Sequence, residues 1–403
     1  MADPDVHSVY RRAGVDYAVL DAGKRRALAE ALATSHWLAA TGARAHDDSR
    51  GEPAFVLRFA GSTLAFVLET LGTKSILARE YHESAGVNRF DHVAYDTVAA
   101  VLNDLICVGA LPLVINAYFA TGSSAWYEHS ERADALLSGW RRACDDAHCA
   151  WGGGESPSLT ELLAPDDIEL AGSAVGFVPP PGEPLLGAEL APGDEIVLLA
   201  SNGLHANGAS LARRIARDLP DGLLTRLPGE DSIAARDRGG ETDGVDRAGS
   251  GVDFGEALLA PSFLYVELVR RLLGDGQVKL TYLSHITGHG LLKLMRPRRE
   301  LTYRIHALPP VPGVLAFLVE RSAMDPAAAY STLNMGAGFA VYCRPGGGPR
   351  VVEIAGELGL HAVLAGAVEE GPRQVILEPV GVTFAGDQLA LGPESGGGSS
   401  EPS

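Results

Sequence analysis

Apolar and polar positions along the chain change period several times, and each change predicts an element. Residues 16–42 are rich in helix formers (GKRRALAEALATSHWLAATG) and stop on Gly42, which predicts a helix. Residues 54–68, AFVLRFAGSTLAFVL, read as two strands about a Gly-Ser turn. An amphipathic helix is expected over 91–109, then an apolar strand, LVINAYFA, after Pro112. A helix over 128–149 and a strand over 168–178 (IELAGSAVGFV) follow. The Pro- and Gly-rich stretch PPPGEPLLGAELAPGDE at 179–195 reads as a linker. Beyond it the order partly repeats: a strand (EIVLLAS), a Gly-rich turn, a helix (ASLARRIARDL) and later ITGHG opening a helix. Strands and helices mixed on both sides of a linker predict two domains of α/β or α+β type, 1–178 and 196–385. The charged segment 229–247 has no apolar period and reads as a mobile surface loop, and 386–403 as a disordered tail.

Composition narrows the function classes. The chain has 403 residues and a net charge of −18, from 51 acidic and 33 basic residues. With no Lys/Arg block, it is poorly suited to hold nucleic acid through phosphates, so no nucleic-acid partner is expected. A small phosphorylated substrate needs only local cations and backbone N–H groups, and stays open. The start of the chain lacks a basic stretch with an apolar core, and no apolar run spans a bilayer, so neither secretion nor membrane insertion is expected. Cys107, Cys144, Cys149 and Cys343 show no zinc-ligand spacing and read as reduced thiols of a cytoplasmic protein.

Five stretches could carry chemistry. In WGGGES (151–156), three glycines leave backbone that another molecule can approach closely. Glu155 at its rim is either a magnesium ligand or a solvated turn residue. In LETLGTK (68–74), Gly72, Thr73 and Lys74 form a turn that could cradle phosphate, with Glu69 beside it to hold magnesium. The chain has only four lysines, Lys24, Lys74, Lys279 and Lys293, so a retained ammonium stands out. Lys74 is expected to matter for ATP far more than Lys279 or Lys293. In YDTVAAVLNDL (95–105), a helix would put Asp96 and Asn103 on one face with Asp104 adjacent. Buried carboxylates in an apolar segment need a partner, and a magnesium site fits. Finally, SNGLHANGAS (201–210) sets His205 and Asn207 in a Gly-flanked turn, and SHITGHGLL (284–292) does so for His285, Thr287 and Gly288. Turns that lead into helices favour phosphate, and histidine suits proton transfer near neutral pH.

Taken in order, these stretches resemble the aminoimidazole ribonucleotide synthetase family, also called phosphoribosylformylglycinamidine cyclo-ligases. The matching runs are YRRAGVD (10–16), LETLGTK, YDTVAAVLNDL, ALPLVINAYFATG, the Gly-Gly-Glu of WGGGES, AGSAVG, SNGLHANG, LLAPSFLYV, HITGHG and LNMGAG. Together they cover about residues 9–340.

The resemblance implies a two-domain synthetase fold: an N-terminal ATP/magnesium-binding domain whose sheet pairs with that of a second copy in a shared barrel, and a C-terminal α/β domain. It implies a homodimer that uses ATP and Mg²⁺ to close the imidazole ring of a purine precursor. By the same resemblance, Glu69, Asp96, Asp104 and Glu155 are metal ligands, and Gly72, Thr73, Lys74, Asn103, Gly153, Gly154, Asn207, Thr287 and Gly288 line the nucleotide. Lys74, His205 and His285 carry phosphate contact or proton transfer.

The chain departs from the family pattern at several places: Glu69 for Asp, Thr70-Leu71 for Gly-Val, Ala117 for Asp, Ser123 for Lys, SPSLT at 156–160, and His289 for the middle Gly of H-x-T-G-G-G. These leave two alternatives beside the cyclo-ligase: a divergent relative that activates another amide or acid oxygen with ATP, and a nucleotide-binding paralogue without turnover.

Overall fold

The computed structural model describes residues 17–227 and 251–389. The YRRAGVD stretch, the charged segment 229–247 and the tail beyond 389 lie outside the described residues. The first helix, α1 (Tyr17–Ala33), ends where Thr34 and Ser35 turn the chain into the short helix His36–Ala40, so the single element expected over 16–42 is two.

Six strands form the first sheet: β1 (Arg44–Ala45), β2 (Phe55–Phe59), β3 (Ser62–Thr70), β4 (Leu111–Thr121), β5 (Ala150–Glu155) and β6 (Ile168–Phe177). Their order is β1-β2-β3-β6-β4-β5, antiparallel throughout except for the β4–β5 pair. The β2–β3 hairpin turns at Ala60 and Gly61, both with positive φ (49° and 82°), the twist that a two-residue hairpin loop requires.

Alternation along β3 gives the sheet two unlike faces. Ala65 and Val67 are buried beneath α3 (Phe90–Ile106), which follows α2 (Lys74–Ala85) and packs beside α4 (Ser130–Asp146). Phe66 and Leu68 on the other face are 36% and 69% exposed.

The second sheet holds β7 (Glu195–Ala200), β8 (Leu280–His285), β9 (Leu301–Ile305), β10 (Ala337–Cys343), β11 (Ala362–Glu370), β12 (Gln374–Leu377) and β13 (Val382–Ala385). Its order is β13-β12-β9-β11-β7-β10-β8, with only β12–β9 parallel. All residues of β8 and β10 are buried, which explains the continuous apolar sequence of β10, AGFAVYC, while β8 (LTYLSH) buries Thr281, Ser284 and His285 as well. Around this sheet lie α5 (Ala209–Asp218), α6 (Val266–Gly274), α7 (Gly313–Ser322) and α8 (Gly348–Glu357). Sheets this strongly antiparallel make both domains α+β in arrangement.

Three local expectations are corrected. WGGGE forms the exposed edge strand β5 and not a glycine loop, because β4 offers it a parallel partner. ITGHG opens a run of 3-10 turns over Gly290–Met295 instead of an α-helix, with His289 at φ 73° before it. The 179–195 connection is packed rather than free: Leu190 is buried, the Leu185 N–H donates to the Val108 carbonyl at 3.0 Å, and Arg299 Nη1 donates to the Ala188 carbonyl at 3.1 Å.

Candidate active site

Helix α3 is apolar on most of its circumference, so each polar side chain on it must find a partner inside the protein. Asp96 and Asn103 share a face as their spacing requires, and that face grips one segment of the second domain. The Ser262 N–H donates to Asp96 Oδ1 at 2.6 Å. The Tyr265 N–H donates to Asn103 Oδ1, and Asn103 Nδ2 donates to the Phe263 carbonyl, both at 2.9 Å. Both side chains are thereby engaged with protein, not turned toward a nucleotide.

Lys74 completes this clamp. Its ammonium lies 2.6 Å from Asp96 Oδ2, with both side chains 0% exposed, and donates to the His205 carbonyl at 2.7 Å. The sequence led us to expect an ammonium open to phosphate; the structure places it as a strut between the domains. Neighbouring Thr73 shares a 2.8 Å hydroxyl hydrogen bond with Ser210. Gly72, at φ 70°, gives its backbone N–H to Glu169. The LETLGTK turn is thus a domain seam.

The next residue of α3, Asp104, belongs to a different group. His285 Nδ1 lies 2.6 Å from Asp104 Oδ1, both side chains being almost wholly buried. Burial lowers the His285 imidazole pKa against the opposing pull of Asp104, favouring a neutral ring. With Nδ1 donating to Asp104, Nε2 keeps its lone pair. Glu69, at the end of β3, hydrogen-bonds Asp104; burial first, and repulsion from Asp104 second, raise its pKa to about 7. Asp104 is instead lowered to about 2: burial works against ionisation, but the hydrogen bond and charge of His285 outweigh it. Of the two carboxyls, Glu69 is therefore the harder to ionise.

Lys293 closes the group. It sits inside the apolar run GLLKLM, is 7% exposed, and donates to the Thr287 hydroxyl. Burial lowers its ammonium to about 8, against the attraction of Asp104 and Glu69. Sequence reasoning set Lys293 aside as ordinary. Two signals could have found it: it is one of four lysines, and it interrupts an apolar run where an unpaired charge is costly.

Glu69, Asp104, His285, Thr287 and Lys293 thus converge from both domains. His205 stands close enough for the charge of His285 to act on it; burial is the larger cause of its lowered pKa. Its Nε2 lies 3.0 Å from Asn202 Oδ1, and its Nδ1 is buried with no hydrogen-bond partner among the described residues. Gly338 is required here, because a Cβ would come within 2.1 Å of Tyr265 Oη and 2.8 Å of His205 Cε1. Asn207 and Gly288 lie half-buried in the turns flanking these histidines.

The expected metal set does not assemble. In the first sheet, Glu69 pairs with Gly172, Gly172 with Ala117, and Ala117 with Gly154. Glu155 is one residue further along, hence on the opposite face and roughly 14 Å away across three strand spacings. Gly153 and Gly154 are exposed on the same edge strand. Asp96 is taken by Lys74. Among the described residues no three His, Cys, Asp or Glu side chains are grouped to hold a cation. Glu69 and Asp104 remain as a pair of neighbouring carboxyls, a donor set that suits a cation.

The pair makes a pH signature. In the folded state Glu69 titrates near 7, above its ordinary 4.5, so its stabilising contribution is complete below pH 4.5 and is lost as pH rises through about 7. Without divalent cations, the difference in unfolding free energy between wild type and Glu69→Gln should shift across that window, against wild type as pH rises. Parallel pH profiles would show that Glu69 is not held protonated.

Two family models match the chain: AIR synthase related protein, N-terminal domain, at residues 51–178, and the C-terminal domain of the same family at 191–377. A phosphoribosylformylglycinamidine cyclo-ligase of Methanothermobacter thermautotrophicus is 30% identical over 328 residues, covering 81% of this chain and 86% of that protein. One from Lachnospira eligens is 30% identical over 296 residues, covering 72% and 79%. Among solved structures, the hydrogenase maturation protein HypE in complex with ATP superposes with a TM-score of 0.53 at 16% identity, covering 81% of this chain and 84% of that one. E. coli HypE gives a TM-score of 0.52 at 18% identity, covering 82% and 87%. At such identities these two structures speak to the fold alone.

Proposed function

This chain belongs to the AIR synthase related family in both of its domains, and from that premise we propose that it is an ATP-dependent phosphoribosylformylglycinamidine cyclo-ligase. One observation carries the reading. Curated cyclo-ligases align across both domains, and every side chain of the seam cluster lies within the residues that the family models match.

In this reading ATP phosphorylates the formamide oxygen of formylglycinamidine ribonucleotide. The amidine nitrogen then attacks the activated carbon, the ring closes, and phosphate departs with that oxygen. The chain's own residues have three tasks. Lys293 places a positive charge near the transferring phosphoryl, where developing charge is largest. His285, neutral and oriented by Asp104, takes a proton at Nε2 as the nitrogen attacks. Domain closure over the cluster, fixed by the Lys74–Asp96 strut and the Asn103 clamp, holds the two reacting ends close.

A magnesium ion borne by the nucleotide supplies charge neutralisation at the phosphates. Glu69 and Asp104, the two carboxyls of the seam cluster, are the residues that would hold it. The exposed Phe66–Leu68 face of the first sheet supports a second copy of the chain as its cover.

The test is direct. Purified protein given formylglycinamidine ribonucleotide, ATP and magnesium should form aminoimidazole ribonucleotide, ADP and phosphate in equal amounts. ATP binding without ring closure at saturating substrate would pass the assignment to a relative acting on another amide or acid; the changes at Ala117, Ser123 and 156–160 motivate that second reading.

A further inference from the structure

Beside the seam cluster lies a cleft of about 270 Å³, walled by residues 47–48 and 50–52, the linker at 186–188 and the run Arg296-Pro297-Arg298-Arg299. Four arginines line it: Arg50, Arg296, Arg298 and Arg299. Three carboxylates line it as well, Asp47, Asp48 and Glu52. Asp47 and Asp48 are exposed at the rim. Glu52 accepts the Tyr282 hydroxyl at 2.7 Å, and burial raises its carboxyl pKa despite Arg296 and Arg298.

Two of the arginines are held in place yet incompletely satisfied. Arg296 Nε donates to the Gly51 carbonyl at 3.0 Å, while its Nη1 is buried with no partner among the described residues. The Arg50 guanidinium is stacked 4.1 Å from the Phe55 ring centroid and donates through Nη2 to Ser35; its Nε is likewise buried without a partner. A buried guanidinium N–H without an acceptor is costly, and a bound oxyanion would satisfy it. The charge of Arg296 also acts on Asp104, His285 and Lys293, which places the inner wall of the cleft next to the reacting groups.

We infer that this cleft is the subsite for the phosphomonoester of the substrate, with Arg296 and Arg50 as its floor and Arg298 as its mouth. A ligand anchored there by phosphate would lie with its far end toward the seam cluster. The cyclo-ligase reading supplies only the identity of that far end; the phosphate subsite rests on the arginines. The triphosphate of ATP offers the same chemistry, so the experiment must separate the two.

Isothermal titration of the full chain with ribose 5-phosphate, ribose and a non-hydrolysable ATP analogue does so, in wild type and in Arg298→Ala, a change at an exposed position that spares the fold. Ribose 5-phosphate should bind and ribose should not. Arg298→Ala should weaken ribose 5-phosphate about tenfold, and leave the ATP analogue within about twofold. Failure of ribose 5-phosphate to bind, or an unchanged affinity in Arg298→Ala, would overturn the inference. So would weakening of the ATP analogue alone, which would give the arginines to the nucleotide. If ribose 5-phosphate behaves as expected but no aminoimidazole ribonucleotide forms, the subsite stands and the cyclo-ligase assignment falls.

Discussion

Replacing Lys293 by methionine should leave a folded protein whose turnover falls about 100- to 1,000-fold, the usual effect of removing one preorganised charge from a transferring centre. Methionine matches the length and apolar stem of the side chain in the GLLKLM run, so packing is kept. What disappears is the cation facing Asp104 and Glu69 and the donor to the Thr287 hydroxyl. Glu69 should then hold its proton to still higher pH. Single-turnover rates alongside the Glu69 titration check both consequences. A variant with wild-type turnover would remove Lys293 from the chemistry.

The second large effect concerns stability. Lys74→Met should cost about 3–5 kcal/mol in unfolding free energy, because it strands the Asp96 carboxylate in a site from which water is excluded. The pair as a whole is worth much less than that. Removing both charges, as in Lys74→Met with Asp96→Leu, should therefore recover a good part of the loss. Urea unfolding of the three proteins measures it. A loss below about 1 kcal/mol in the single variant, together with weakened ATP binding, would restore Lys74 to the phosphate role expected from its sequence context.

These two lysines show how far the sequence could be read. The same argument, a rare ammonium in an arginine-rich chain, applies to both. The Gly-Thr turn drew attention to Lys74, although turn chemistry says nothing about what the other domain presses against it. The contacts that decide each role, Lys74 with the His205 carbonyl and Lys293 with the charges of Asp104 and Glu69, depend on how the chain closes on itself; the first spans 131 positions.

Periodicity located β2, β3, β4 and β6 with α3 and α4, and β7 with α5 in the second domain, because each has one buried face or two; β8 to β13 were not read from the sequence. It failed at WGGGE, where strand formation depends on an external partner, β4, and not on the segment's own propensity. The Asp96–Asn103 spacing was legible as a shared helical face, but what that face holds was not. Periodicity places side chains relative to their own helix only. Arg296 and Arg50 were missed for the same reason, since the cleft that brings them together joins segments of both domains.

In the proposed reaction, ATP activates the formamide oxygen for ring closure within the seam cluster. Its most direct test uses formylglycinamidine ribonucleotide labelled with ¹⁸O at the formyl group, with mass analysis of the released phosphate. Each aminoimidazole ribonucleotide formed should be matched by one phosphate carrying the label; product accompanied by unlabelled phosphate would rule out activation of the formamide oxygen.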